Sequence, residues 1–301
     1  MTNPSSITKR RKWARFLRRG MGRALWGAML RFTVCHRRVI APGWGARPAL
    51  RIGILSDLHF GFAPMDPAKI ALIKRRLLAT NPDIIVFLGD LAGGFGGKTR
   101  TANVPVGADL LAGLDAPLGC YAILGNHDWH DDPEAHARGA GPVAAADFLE
   151  RAGFQVLQNN AVPLQGAGFW LAGLDSQHVF RTRHLTGVTR SGADDIDATL
   201  AQVTGTDPVI LLAHEPDIFP ELTDNRIVLT LSGHTHAGQL RLFNKAFYVP
   251  SRHGTRFAYG HHQIGTQQLI VSAGLGASTL PLRLGAYPEI TIVDVTGPAV
   301  S

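Results

Sequence analysis

Short apolar runs, each stopping at a residue able to bind a metal, recur five times along this chain and constrain its fold more than any other feature. Leu50–Leu55 leads into Ser56-Asp57-Leu58-His59, and Ile84–Leu88 into Gly89-Asp90. Tyr121–Leu124 leads into Gly125-Asn126-His127-Asp128. Val209–Ala213 leads into His214-Glu215-Pro216, and Ile227–Leu231 into Gly233-His234-Thr235-His236. Apolar runs this short, with no polar alternation, predict strands buried on both faces. Phe169–Leu174, Leu269–Ser272 and Ile290–Val293 read the same way. Helical signals fall between them. Asp66 can cap a helix that Pro67 opens, and Ile70, Ile73, Leu77 and Leu78 give it an apolar face before Asn81-Pro82 stops it. A second helix is predicted around Val143–Arg151. Strands alternating with helices imply an α/β layered body, and such bodies place their sites past the carboxyl ends of core strands.

Each polar ending has an ordinary structural reading when taken singly. Asp57 or Asp90 can cap a turn, His214 can be a satisfied core histidine, and Gly125-Asn126 can be a plain turn. The set is different. Asp57, His59, Asp90, Asn126, His214, His234 and His236 bring two carboxylates, one amide and four imidazoles, with His127 to spare. That mixture suits manganese, iron or zinc better than calcium or magnesium.

The order Asp-x-His, Gly-Asp, Gly-Asn-His-Asp, His, Gly-His-x-His resembles the signature of the calcineurin-like metallophosphoesterases, and the likeness runs from residue 50 to residue 296. It implies a four-layer α/β/β/α sandwich of two mixed sheets flanked by helices. It also implies a centre of two divalent metal ions, manganese first and iron or zinc as alternatives. Motif by motif, Asp57, His59 and His236 would bind one ion, Asn126, His214 and His234 the other, and Asp90 would bridge them. His127 would contact the phosphate and protonate the leaving oxygen, with Asp128 orienting it. Ser56, Thr235 and backbone carbonyls are candidates to anchor the ligands' other atoms.

The charge is unevenly spread. Residues 1–51 hold 13 of the 30 Lys and Arg and no acid, leaving 17 bases against 23 acids in the remainder. Residues 1–48 therefore read as a basic arm and linker ahead of a domain at 49–301. Within residues 7–33, positions 13, 16, 17, 21, 24, 25, 28 and 32 step by three or four, which predicts a basic amphipathic helix suited to an anionic membrane surface. Arg23 and Arg31 break any signal-peptide core, and the longest uncharged run within residues 7–33, Ala24–Leu30, falls far short of the roughly 20 residues a span needs. A plain basic tail, a packed helix, a nucleic-acid contact or export are the alternatives. Cys35 and Cys120 form no CxxC pair, which fits a reducing compartment. The expected location is cytoplasmic, peripheral at the inner membrane.

For substrate, Gly233–Gln239 and Ala273–Arg283 with Pro288-Glu289-Ile290 resemble a bacterial subgroup of membrane-associated phosphodiesterases, including UDP-2,3-diacylglucosamine pyrophosphatases of lipid A synthesis. A phosphodiester or pyrophosphate of a lipid-linked substrate is the reading this implies. Arg181, Arg183, Arg252 and Arg256 are candidates to hold a second phosphate, or are solvated loop residues. A nuclease, a cyclic-nucleotide phosphodiesterase and a non-catalytic metal-binding scaffold are the competing functions. Gly93–Lys98 lacks a P-loop ending and reads as a flexible loop behind Asp90.

Overall fold

The computed structural model describes residues 31–62, 65–93, 97–164, 166–184, 187–243, 245–280 and 282–298, with backbone alone at 97–99, 181–184 and 187–190. Two six-stranded mixed sheets form its centre. The first runs β1 (Thr33–Ile40), β16 (Glu289–Thr296), β2 (Leu50–Leu55), β3 (Ile84–Phe87), β4 (Cys120–Ala122), β5 (Gln155–Val156). The second runs β14 (Gly260–Ile264), β15 (Gln267–Val271), β11 (Ile227–Ser232), β10 (Val209–Leu212), β7 (Phe169–Gly173), β6 (Asn160–Leu164).

Strand chemistry explains the layering. All four residues of β3 are buried, and they divide by parity. Ile84 and Val86 join the core between the sheets, where Ile52, Ile54, Leu171, Ile210, Leu212 and Leu229 meet them. Ile85 and Phe87 turn outward to the core beneath the helices Pro67–Leu78, Gly97–Leu111 and Ala144–Arg151. On the far side, Ala172, Val209 and Leu211 pack with the half-buried Ile196 and Leu200 of the helix Ile196–Leu200. Helix, sheet, sheet, helix is the expected four-layer order. Asp66 accepts a 2.8 Å hydrogen bond from Lys69 N and caps the first helix, which buries Ile70, Ile73 and Leu77 as their spacing predicts.

Three features differ from expectation. The body starts well before residue 49: β1 pairs in parallel with β16 from Thr33↔Glu289 to Ile40↔Thr296, and Trp44 is buried against Phe169 at 5.2 Å between ring centroids. As an edge strand with one neighbour, β1 can carry His36, Arg37 and Arg38, which hide it from a hydrophobicity reading. The Gly93–Lys98 stretch runs into a helix that begins at Gly97. Of the proposed amphipathic helix, residues 31–32 are not helical, Phe32 packs on the core and Thr33 opens β1, while residues 7–30 lie outside the described residues. Among the described residues no helix is long and apolar enough to cross a membrane, and Cys35 and Cys120 are free thiols.

Candidate metal centre

The parallel strands β2, β3, β4, β10 and β11 each deliver their candidate ligands just past the carboxyl end. Bonds between the loops fasten these ends together: Asp57 N donates to Gly89 O at 3.0 Å, Gly233 N to His214 O at 2.9 Å, and Leu275 N to Ser56 O at 3.0 Å. The turns are sharp. Asp57, His59, Asp90, His234 and His236 all have positive φ, between 45° and 66°. A non-glycine residue in the left-handed region costs on the order of 1 kcal/mol, and five of them at one place mark a site held open by the fold around it. Gly233 allows the closest approach: a Cβ there would lie 2.0 Å from Ser56 Oγ and 2.6 Å from Asp57 Oδ2.

The seven side chains converge. Asp57, His59 and His236 can each offer an atom within 4.8 Å of the others', and so can Asp90, His214 and His234. A third such group joins His59, Asp90 and His127. Asp90 Oδ2 lies 3.5 Å from His59 Nε2 and 3.3 Å from His214 Nε2, so one carboxylate oxygen faces both halves of the cluster. His59 Nε2 and His236 Nε2 stand 3.1 Å apart.

The outer atoms of the candidate ligands are anchored in the way metal ligands require. His214 Nδ1 bonds Leu88 O at 2.5 Å and His234 Nε2 bonds Pro250 O at 3.0 Å, leaving His214 Nε2 and His234 Nδ1 as the free nitrogens. Ser56 Oγ donates to Asp57 Oδ2 at 2.5 Å, while Thr235 Oγ1 turns away to Ala258 O. Buried Asn126 Oδ1 and His214 Nε2 form no hydrogen bond. Polar atoms left unbonded in a buried cluster are costly. Carboxylates and imidazoles with free lone pairs facing one point fit a divalent metal.

The electrostatics agree. Burial opposes charge on His214, but the neighbouring Asp90 carboxylate outweighs it and lifts the imidazole well above its usual range. Burial pushes the Asp57 carboxyl up, and the Asp90 charge adds to the shift. Burial also holds His59 down at about 4 and His127 at about 3, so both rings are neutral at pH 7. The neutral His59 ring is competent for metal binding without first losing a proton, whereas His214 would release one as a metal bound.

A cavity of about 430 Å³ opens above the cluster, with Asp90, Asn126, His127 and His234 on its floor and His178 and Tyr248 in its walls. His178, absent from every motif, leans on buried Asp217 at 3.3 Å. Arg283 was equally unforeseen: it is buried, donates from Nε to Gly276 O at 2.6 Å, and reaches His236 Nδ1 at 2.7 Å. A lone histidine and a lone arginine carry no spacing signal that could have revealed either role.

Asp128 corrects an expectation. Its carboxylate accepts backbone N–H bonds from Asp90 at 2.8 Å, Leu91 at 2.9 Å and Gly125 at 2.8 Å, while buried His127 Nδ1 has no partner. It joins the loops after β3 and β4 instead of holding the His127 ring. The arginines also fall elsewhere. Arg252 pairs with Glu221 at 2.9 Å and Arg256 stacks over Phe257, and neither lines the cavity. The side chains of Arg181 and Arg183, on β8 (Phe180–His184), lie outside the described residues.

Known proteins resemble this chain over most of its length. The family described as calcineurin-like phosphoesterase matches residues 50–238. An uncharacterized metallophosphoesterase of Bacillus subtilis (strain 168), YkuE, is 34% identical over 245 residues, covering 79% of this chain and 76% of its own. An uncharacterized metallophosphoesterase of Aquifex aeolicus (strain VF5) is 31% identical over 252 residues, covering 82% and 85%. A Bos taurus protein named as a transmembrane protein with metallophosphoesterase domain is 31% identical over 254 residues, covering 81% of this chain and 52% of its own. A match this long, laid over strand ends that gather acid and imidazole donors, shows that the chain belongs to the calcineurin-like phosphoesterase family and is a metal-dependent phosphoesterase.

Proposed function

We propose that the centre holds two divalent ions and that the protein cleaves a phosphodiester or pyrophosphate bond in a lipid-linked substrate at a membrane surface. The position of Asp90 between the two halves of the cluster carries the two-ion reading. Asp57, His59 and His236 would hold one ion and Asn126, His214 and His234 the other, with Asp90 shared. When bound, the ions would supply water ionised near neutral pH and offset charge on the phosphoryl oxygens. The donors suit manganese, iron or zinc.

The protein's own groups do the rest. His127 lies on the cavity floor, where burial lowers its imidazole to about 3. A phosphate anion beside it would oppose that shift and favour the protonated ring, the form that would hand a proton to the leaving oxygen. Arg283 fixes the outer nitrogen of His236. The lipid-linked substrate is supported by the likeness to UDP-2,3-diacylglucosamine pyrophosphatases and by the acid-free N-terminal segment. The membrane name of the Bos taurus relative points the same way. The cytoplasmic face of the inner membrane is the proposed setting.

The test is hydrolysis of bis-p-nitrophenyl phosphate and of UDP-2,3-diacylglucosamine by folded protein loaded with Mn, Fe or Zn. Turnover that stops on chelation and returns with metal is expected, and His127→Ala should retain metal but lose at least tenfold in rate. No turnover of either compound with any of the three metals would end the proposal. Turnover of the first alone, with salt-sensitive DNA cleavage, would move it to a nuclease.

A further inference from the structure

The rim of the cavity is the most apolar exposed surface among the described residues. Seven of their eleven exposed large hydrophobic side chains come from two segments, 242–248 and 280–287. Phe243 is 89% exposed, Phe247 74%, Tyr248 68% and Tyr287 64%, with Leu242 and Leu284 beside them. The segments are tied together: Arg241 N donates to Leu284 O at 2.7 Å and Leu284 N to Gln239 O at 2.9 Å. Phe247, Tyr248 and Leu280 border the cavity itself. Phe243 follows β12 (Arg241–Leu242), which pairs with β13 (Lys245–Ala246), so it projects from the tip of a short hairpin. Clustered exposed aromatics are unfavourable in water and mark a surface that something covers.

Charge identifies the covering partner. No Asp or Glu occurs in either segment, whereas Arg241 and Lys245 belong to the hairpin that carries Phe243. The start of β1 lies beside this rim: Thr33 N donates to Pro288 O at 2.9 Å, one residue from Tyr287. Aromatic side chains flanked by cations, with no acids, match an anionic lipid interface, where rings sit at headgroup depth and each nearby cation adds attraction.

We infer that the rim formed by residues 242–248 and 280–287 inserts into an anionic lipid bilayer and seats the mouth of the cavity on the membrane. Its functional meaning rests on the cavity being the site of phosphate cleavage. Docked this way, a phosphate group of a lipid reaches Asp90 and His127 without its chains leaving the bilayer. The substrate class becomes membrane lipids whose scissile phosphate lies at headgroup level.

The experiment is flotation of the full chain with vesicles of 7:3 phosphatidylcholine and phosphatidylglycerol, and of phosphatidylcholine alone. It compares the wild type with Leu242→Ser/Phe243→Ser, neither residue lining the cavity. Wild type should float with the anionic vesicles, and the double variant should partition at least tenfold more weakly, as expected from losing two partly inserted apolar side chains. Hydrolysis of bis-p-nitrophenyl phosphate in solution should be the same for both. Equal flotation of the two proteins would overturn the inference, placing docking in the basic segment alone or showing that this segment covers the rim. Absence of flotation would overturn it, as would a wild-type dimer that the double variant turns into a monomer. Lack of phosphate hydrolysis by both proteins would count against the proposed reaction, while flotation still reports on the rim.

Discussion

Asp128→Asn separates two roles for one buried carboxylate. Oδ2 takes the N–H groups of Asp90 and Gly125, and Oδ1 takes that of Leu91. Asparagine keeps the shape but has one acceptor oxygen. If that oxygen replaces Oδ2, its NH₂ faces Leu91 N–H, and a buried donor is left unbonded, costing about 1–3 kcal/mol. The two surviving bonds lose their charge assistance, roughly 0.5 kcal/mol each. The sum, about 2–4 kcal/mol, corresponds to a fall of about 3–7 °C in Tm for a chain of this size. Burial and the Asp90 charge push the Asp128 carboxyl up to about 7, so thermal unfolding is best followed at pH 8, where the carboxylate predominates. Activity should fall as well, since the loops so joined carry Asp90 and Asn126. A variant that melts within 1 °C of wild type but loses as much kcat as His127→Ala would refute this account and restore Asp128 as the orienter of that ring.

Further outcomes follow from neighbouring groups. Gly125→Ala has no dihedral penalty, since φ is −99°, but its Cβ would sit 2.3 Å from Asp90 Oδ1 and 2.8 Å from His214 Cε1. Metal content by mass spectrometry should drop at least tenfold at limiting manganese, and full retention would contradict the packing. Burial raises Asp217, but hydrogen bonds from His178, Ser251 and Arg252 N outweigh it and hold the carboxyl at about 2, below the roughly 3.9 of an unfolded chain. Its contribution, at most about 2 kcal/mol, is present above pH 4 and lost as pH falls from 4 towards 2. Urea midpoints of wild type and Asp217→Asn should therefore converge over that range, and a constant gap would exclude the linkage. Chelation should lower the Tm of metal-loaded protein by an amount that grows with the metal concentration removed, because bound metal stabilises by mass action, and an unchanged Tm would argue against a folded-state metal site.

Parts of this architecture are legible residue by residue. Ile84–Phe87, Val209–Leu212 and Ile227–Ser232 are fully buried, so their apolar runs are unbroken and their polar endings stand out. Asp66-Pro67 announces its helix because a cap and a fixed φ are local matters. Where a partner lies far along the chain, the reading fails. Nothing near Asp128 tells that its acceptors serve amides 37 and 38 residues back. Arg252 looks free in sequence, yet Glu221 claims it. The helix Gly97–Leu111 escapes because glycines open it and Pro105 sits inside it. The candidate ligands are legible for the opposite reason: acids and imidazoles at strand ends contradict their apolar surroundings.

The pairing of β1 with β16 bears on how the chain is made. Thr33 and Glu289 are neighbours across the ladder, and β2 also depends on β16 for its antiparallel partner. At roughly 5–20 residues per second, a ribosome needs on the order of 13–50 s between synthesising the two positions. For that interval Thr33–Ile40 has no strand to bind, and one edge of β2 stays open. The second sheet can close earlier, since β6 to β15 span residues 160–271. The nascent protein thus leaves Thr33–Ile40 unpaired until Glu289–Thr296 has been made, a window in which a chaperone or a lipid surface can reach that edge before β16 locks it in place.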